Sequence, residues 1–153
     1  MDNCFERGDY VLMSVKPVFA NEILSGTKKY ELRSKGQRIE TGDVVIVYAS
    51  APVKSIVGLF RVGEVFIVEY PELVRLFQRG VLRGVTERDI QFMYGKKRPI
   101  LVLEVVEPKR IATPITLAEL REIMPGFRPP INYLRISREN PIAKEVMKRF
   151  CCI

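Results

Sequence analysis

Ser14-Val15-Lys16-Pro17 leads within a few residues to Ile23-Leu24-Ser25-Gly26-Thr27-Lys28-Lys29-Tyr30-Glu31-Leu32-Arg33, and the fold reads outward from these two pieces. Residues 10–15 form an apolar run of strand length, which Lys16-Pro17 ends. Pro17 suits the first position of a helix, and Val18, Phe19, Ile23 and Leu24 recur at the spacing of one helix face. Gly26 stands where a helix stop belongs. The turn then feeds residues 28–33, which alternate polar and apolar like a half-buried strand. On such a strand Glu31 and Arg33 share one face while Tyr30 and Leu32 share the other. A strand ending in one lysine and a glycine turn presenting another bring Lys16 and Lys28 to a common rim, a reasonable clamp for an anion. The Glu31–Arg33 spacing equally describes an ordinary surface ion pair.

Residues 43–48 read as a strand and residues 55–68 as a longer one, with Gly58 and Gly63 as candidate bulges. Residues 71–78 and 86–94 read as helices, the second with Thr86 as N-cap and Asp89 completing a capping box. Residues 100–106 form the strongest strand, and Thr116 caps a short helix over 117–124. An extended segment to residue 136 and a final helix over about 141–150 follow. Phe19, Phe60, Phe66 and Phe77 are assigned to the core. Strands do not alternate regularly with helices, so a doubly wound parallel sheet is not expected. The pattern predicts an α+β fold, a small, partly open β-barrel of five or six strands with short helices at its edges. One domain spans residues 1–153, its core at about 10–136.

The composition, 47% hydrophobic and 28% charged over 153 residues, is that of a globular chain. No apolar run approaches the roughly 20 residues of a membrane helix, and no secretory pattern opens the chain. Cys4 stands alone and Cys151-Cys152 are adjacent, which fits neither a disulfide framework nor a zinc site. A cytoplasmic monomer without cofactor or metal is expected. The chain contains no histidine, which removes every Ser-His-Asp and Cys-His scheme; any catalysis must use Lys, Glu, Asp, Tyr, Ser or Thr. The net charge of +7 lies entirely in residues 77–153, which hold fifteen basic and eight acidic side chains. Such a basic half is the footprint of a polyanion binder.

Gly26-x-Lys28-x-x-Glu31-x-Arg33 resembles the GxKxxExR signature of ASCH domains, preceded as there by a Ser-Val-Lys-Pro strand end and a short helix. Phe92-Met93-Tyr94-Gly95, followed by an Ile- and Val-rich strand, is similar to the family's next landmark, and the resemblance covers about residues 10–111. It implies a PUA-like β-barrel whose cleft holds RNA or a nucleotide-like ligand, and it nominates Lys16, Lys28, Glu31 and Arg33 as cleft residues. One branch of the family deacylates N4-acetylcytidine with a lysine, a threonine and a glutamate. Lys28 matches that lysine, whereas the threonine position holds Glu31. Ribonuclease activity is another possibility the family implies, with Lys28 stabilising a developing phosphorane charge.

Beyond that motif, Tyr94, Lys96 and Lys97 form a basic turn beside an aromatic, the pairing used by single-strand binders, or an ordinary solvated turn. Tyr48 and Ser50 end a strand where stacking and a hydrogen bond at the cleft mouth are expected, unless Tyr48 is core. The segment Phe127-Arg128-Pro129-Pro130 with Tyr133 and Arg135 either covers a barrel edge or completes a ligand wall. The resulting expectation is non-covalent binding of RNA or a modified nucleoside. An amide hydrolase or nuclease using Lys28 and Glu31 is the alternative, and a protein-interaction module in transcriptional control the second. Replacing Lys28 or Glu31 is expected to weaken ligand binding and leave stability nearly unchanged.

Overall fold

The computed structural model describes residues 8–151, so Cys4 and Cys152 lie outside the described residues. The elements run β1 (Tyr10–Val15), α1 (Pro17–Leu24), β2 (Tyr30–Ser34), β3 (Val44–Ala49), β4 (Ser55–Val68), α2 (Tyr70–Gln78), α3 (Glu87–Phe92), β5 (Ile100–Thr116), α4 (Leu117–Ile123), β6 (Tyr133–Ile136) and α5 (Pro141–Cys151). They build the expected α+β architecture around one six-stranded sheet in the order β2-β5-β4-β3-β1-β6. Among the described residues only β1 and β3 pair in parallel, with Tyr10 opposite Val44; the other pairings are antiparallel. No helix among the described residues is long and apolar enough to cross a membrane.

The near-continuous apolar runs of β1 and β3 follow from burial on both faces. Val11, Met13, Val15, Val45 and Val47 point into one core, where Phe60, Leu101, Leu103 and the α1 residues Ala20, Ile23 and Leu24 meet them. Their alternates Tyr10, Leu12, Val44, Ile46 and Tyr48 point the other way, onto Leu120 of α4 and Ile142, Ala143 and Val146 of α5. A third cluster packs Tyr30 and Leu32 of β2 with Ile100 and Val102 of β5, beneath Leu73 and Ile90 of α2 and α3.

The sheet curls until its two edge strands face each other across a gap. Side chains bridge that gap: Asn132 Nδ2 donates to the Ser34 carbonyl at 2.8 Å, and the Tyr133 hydroxyl donates to the Gln37 carbonyl at 2.6 Å. Beside it, Arg135 Nη1 ties β6 to the β2–β3 connection, through an ion pair to Asp43 at 2.9 Å and a bond to the Arg38 carbonyl at 2.7 Å. Curling is helped by the bulged β4–β5 ribbon, whose register shifts near Gly58 and again between Val62 and Val65. Both glycines named from the sequence therefore lie in or beside a register shift. The strand read as ending at residue 106 instead runs on to Thr116, bent past Glu107 (φ 53°) and Pro108.

Candidate functional site

The turn that ends α1 decides where Lys28 goes. Gly26 takes a left-handed φ of 84°. The N–H groups of Thr27 and Lys28 then fold back onto the Glu22 carbonyl at 3.1 and 3.0 Å. This reversal aims the Lys28 side chain inward rather than at a rim. Lys28 is 2% exposed, and its Nζ pairs with Asp89 Oδ1 at 2.6 Å. Asp89 Oδ2 accepts from the Thr86 N–H at 2.7 Å and from its hydroxyl at 3.1 Å. One carboxylate thus caps α3 and holds the lysine. Lys28 is not the exposed anion clamp that the sequence suggests, and its buried ion pair makes a loss of stability, rather than none, the expected result of removing it.

Glu31 and Arg33, on the β2 face opposite Tyr30 and Leu32, form an ion pair of 2.9 Å. Arg33 also donates to the Ser14 carbonyl at 2.8 Å and to Asn132 Oδ1 at 3.0 Å. It therefore fastens β2 to β1 and to the segment before β6 as well as neutralising Glu31. The ordinary surface pair is excluded, since Glu31 is buried.

These groups form the floor and one wall of a cavity of about 520 Å³ that opens between the sheet edges. That volume falls within the ~300–1,000 Å³ typical of small-ligand sites. Six of the nominated residues line it: Lys16, Lys28, Glu31, Arg33, Ser50 and Lys96. Lys35 and Arg98 add two further cations, so six positive side chains surround two carboxylates. Among the described residues both carboxylates already have cationic partners, whereas Lys16, Lys35, Lys96 and Arg98 make no ion pair. Phe92, 47% exposed, stands at the cavity wall against Phe19 with ring centroids 5.9 Å apart. The Nζ atoms of Lys16 and Lys96 lie 5.3 and 5.0 Å from its centre. Phe19 therefore both packs on the core and faces the cavity.

Three nominated residues fall outside the cavity wall. Tyr48 is buried on the opposite face of β3, as strand alternation from Val47 dictates, and desolvation raises its hydroxyl pKa. Tyr94 is exposed and meets Tyr70 edge-on, and Lys97 is a solvated neighbour of the turn. Sequence reasoning missed Asp89, Asn132 and Ile131 as cavity residues, and used Phe92 only as a landmark. Asp89 carried a local signal, its capping box, which explained it fully and hid its second contact. For Asn132 and Ile131 no periodic pattern existed to follow.

A curled six-stranded sheet with five short helices around such a cavity is a PUA-like α+β half-barrel. The chain belongs to the ASCH domain family, whose model matches residues 13–114. It is similar to a Zymomonas mobilis protein named as an ASCH domain-containing ribonuclease, at 27% identity over 84% of each chain. The crystal structure of ASCH from Zymomonas mobilis superimposes with a TM-score of 0.76 at 24% identity, covering 90% of this chain and 94% of that one. A more distant fold match is the N-terminal domain of Staphylothermus marinus McrB, with a TM-score of 0.58 at 13% identity over 96% and 97% of the two chains.

Proposed function

We propose that the protein binds single-stranded RNA, seating one nucleotide in the cavity between the sheet edges. The observation that carries this reading is the charge imbalance of the wall: among the described residues four lining cations make no ion pair, two of them set over the Phe92 ring, beside two carboxylates already neutralised. Lys16, Lys35, Lys96 and Arg98 would meet phosphates, Phe92 would stack on a base, and Glu31 would accept from a base amine. Tyr94 and Lys97, outside the cavity, would contact the strand as it leaves.

Cleavage of the bound RNA is the second reading, favoured by the name of the Zymomonas mobilis relative. Lys28 would then stabilise charge building on the phosphoryl oxygens. Amide hydrolysis has less support, because the position that carries threonine in that branch is Glu31, bonded to Arg33.

A fluorescent single-stranded RNA, titrated at several salt concentrations and then run on a denaturing gel, tests both readings. Binding should weaken with salt along a log–log slope of roughly −2 to −3, about −0.7 for each phosphate neutralised. An affinity independent of salt would overturn the binding proposal. Intact RNA on the gel supports binding alone. Fragments that vanish in Lys28→Ala, under conditions where that variant still binds, would make the nuclease reading primary.

A further inference from the structure

Ile131 is the most exposed large apolar side chain among the described residues, at 102%, and it lines the cavity. An isolated exposed isoleucine on a pliant loop needs no explanation. This one is held on a tightly pinned segment. The Ser14 hydroxyl donates to the Pro130 carbonyl at 2.6 Å, just before it. Just after it, the Asn132 carbonyl accepts from the Ser14 N–H at 3.0 Å, and the Asn132 side chain joins Arg33 and the Ser34 carbonyl at 3.0 and 2.8 Å. Pro129 and Pro130 stiffen the approach, and a β-branched side chain has little freedom at χ1. The segment thus fixes an apolar side chain in the solvent beside a cationic cavity.

We infer that Ile131 is a wedge that separates stacked bases, so that the site takes a nucleotide displaced from its stack. This rests on the RNA reading above and names the kind of RNA that suits it. A base entering the cavity leaves a gap between its neighbours in the strand. Rigid apolar side chains fill such gaps elsewhere in nucleic-acid recognition, and enzymes and binders that read single bases extrude them from the stack. Phe92, the other exposed apolar side chain of the wall, comes from α3 and takes the face of the displaced base. Lys16 and Lys96 beside it neutralise the flanking phosphates. Regular duplex RNA, whose bases resist extrusion, binds more weakly than a single strand.

The test uses a short single-stranded RNA carrying 2-aminopurine at a central position, a base whose fluorescence rises when its neighbours unstack. Anisotropy and 2-aminopurine intensity are read from the same titration, for the native chain and for Ile131→Ala and Ile131→Val. The native chain should raise the fluorescence on saturation. Ile131→Ala should melt like the native chain, bind about threefold to tenfold more weakly, and lose most of the rise, whereas Ile131→Val keeps it. Anisotropy that increases with no fluorescence rise, or with the same rise in Ile131→Ala, overturns the wedge and leaves RNA binding standing. No change in anisotropy with any variant overturns the RNA reading, and the wedge with it.

Discussion

At the scale of single residues the Lys28–Asp89 pair sets the terms. Both side chains are almost wholly removed from solvent, at 2% and 3% exposure. A buried ion pair contributes little net stability, yet removing one partner leaves an uncompensated charge in a poor solvent for it. Lys28→Ala should therefore destabilise the fold by about 3 kcal/mol in urea denaturation. Asp89→Asn should also destabilise, since Thr86 depends on the same carboxylate. The double variant should lose clearly less than the two single losses combined, because each single change strands the other's charge. Additive losses, or an unchanged midpoint for Lys28→Ala, would mean that the two groups do not act as a pair. Ligand-binding losses in Lys28 variants are thus interpretable only beside a stability measurement.

Among the elements, the β4–β5 ribbon decides whether the half-barrel curls. A Cβ at Gly58 would collide with the Lys109 carbonyl and come within 2.8 Å of Leu24 Cδ1. Neither neighbour yields readily: one is the backbone of a paired strand, the other a side chain of the core. A Cβ at Gly63 would instead run into the carboxylate end of Glu104, which can swing away, and approach Val106 Cγ2 at 2.8 Å. Gly58→Ala should cost about 2 kcal/mol and Gly63→Ala about 1 kcal/mol, read as shifts in the thermal midpoint. Equal effects at the two sites would remove the distinction between backbone and side-chain obstruction. These glycines were legible in the sequence because they interrupt an apolar strand. So were β1 and β4, read with the bounds they have. The continuation of β5 was not: Glu107, Pro108, Lys109 and Arg110 look like a loop. Pairing of Gly58 with Arg110 and Ile56 with Ile115 makes them strand, and only the curled ribbon supplies those partners.

For the whole molecule the question is what keeps the two sheet edges together. The segment Phe127-Arg128-Pro129-Pro130 with Tyr133 and Arg135 reads from sequence as either an edge cover or a ligand wall; Tyr133 and Arg135 fasten the edge, while the cavity is lined from this stretch by Ile131 and Asn132, which that reading did not include. Motif spacing reveals Lys28, Glu31 and Arg33 but not this division of labour, because Arg33 and Asn132 are joined only by the curl of the sheet. Tyr133 gives that closure a pH dependence. Its hydroxyl donates to the Gln37 carbonyl at 2.6 Å and accepts from the Gly36 N–H at 2.7 Å. Burial raises its pKa above the ordinary 10.0, opposed by the Gly36 N–H and by the charges of Arg33 and Arg98. The folded state therefore holds this proton more tightly than the unfolded chain does. The stabilisation is fully present below pH 10.0 and is lost as pH rises through the folded value, because the phenolate can no longer donate to Gln37. Stability should hold up to about pH 10 and fall as the pH climbs beyond it. Tyr133→Phe should be less stable by about 1–2 kcal/mol at neutral pH, with a shallower alkaline decline. Part of the decline persists, because burial raises the Tyr48 hydroxyl too, on the other face of the sheet. If Tyr133→Phe follows the native alkaline profile in parallel, the edges are held by Arg33, Asn132 and Arg135 without the tyrosine.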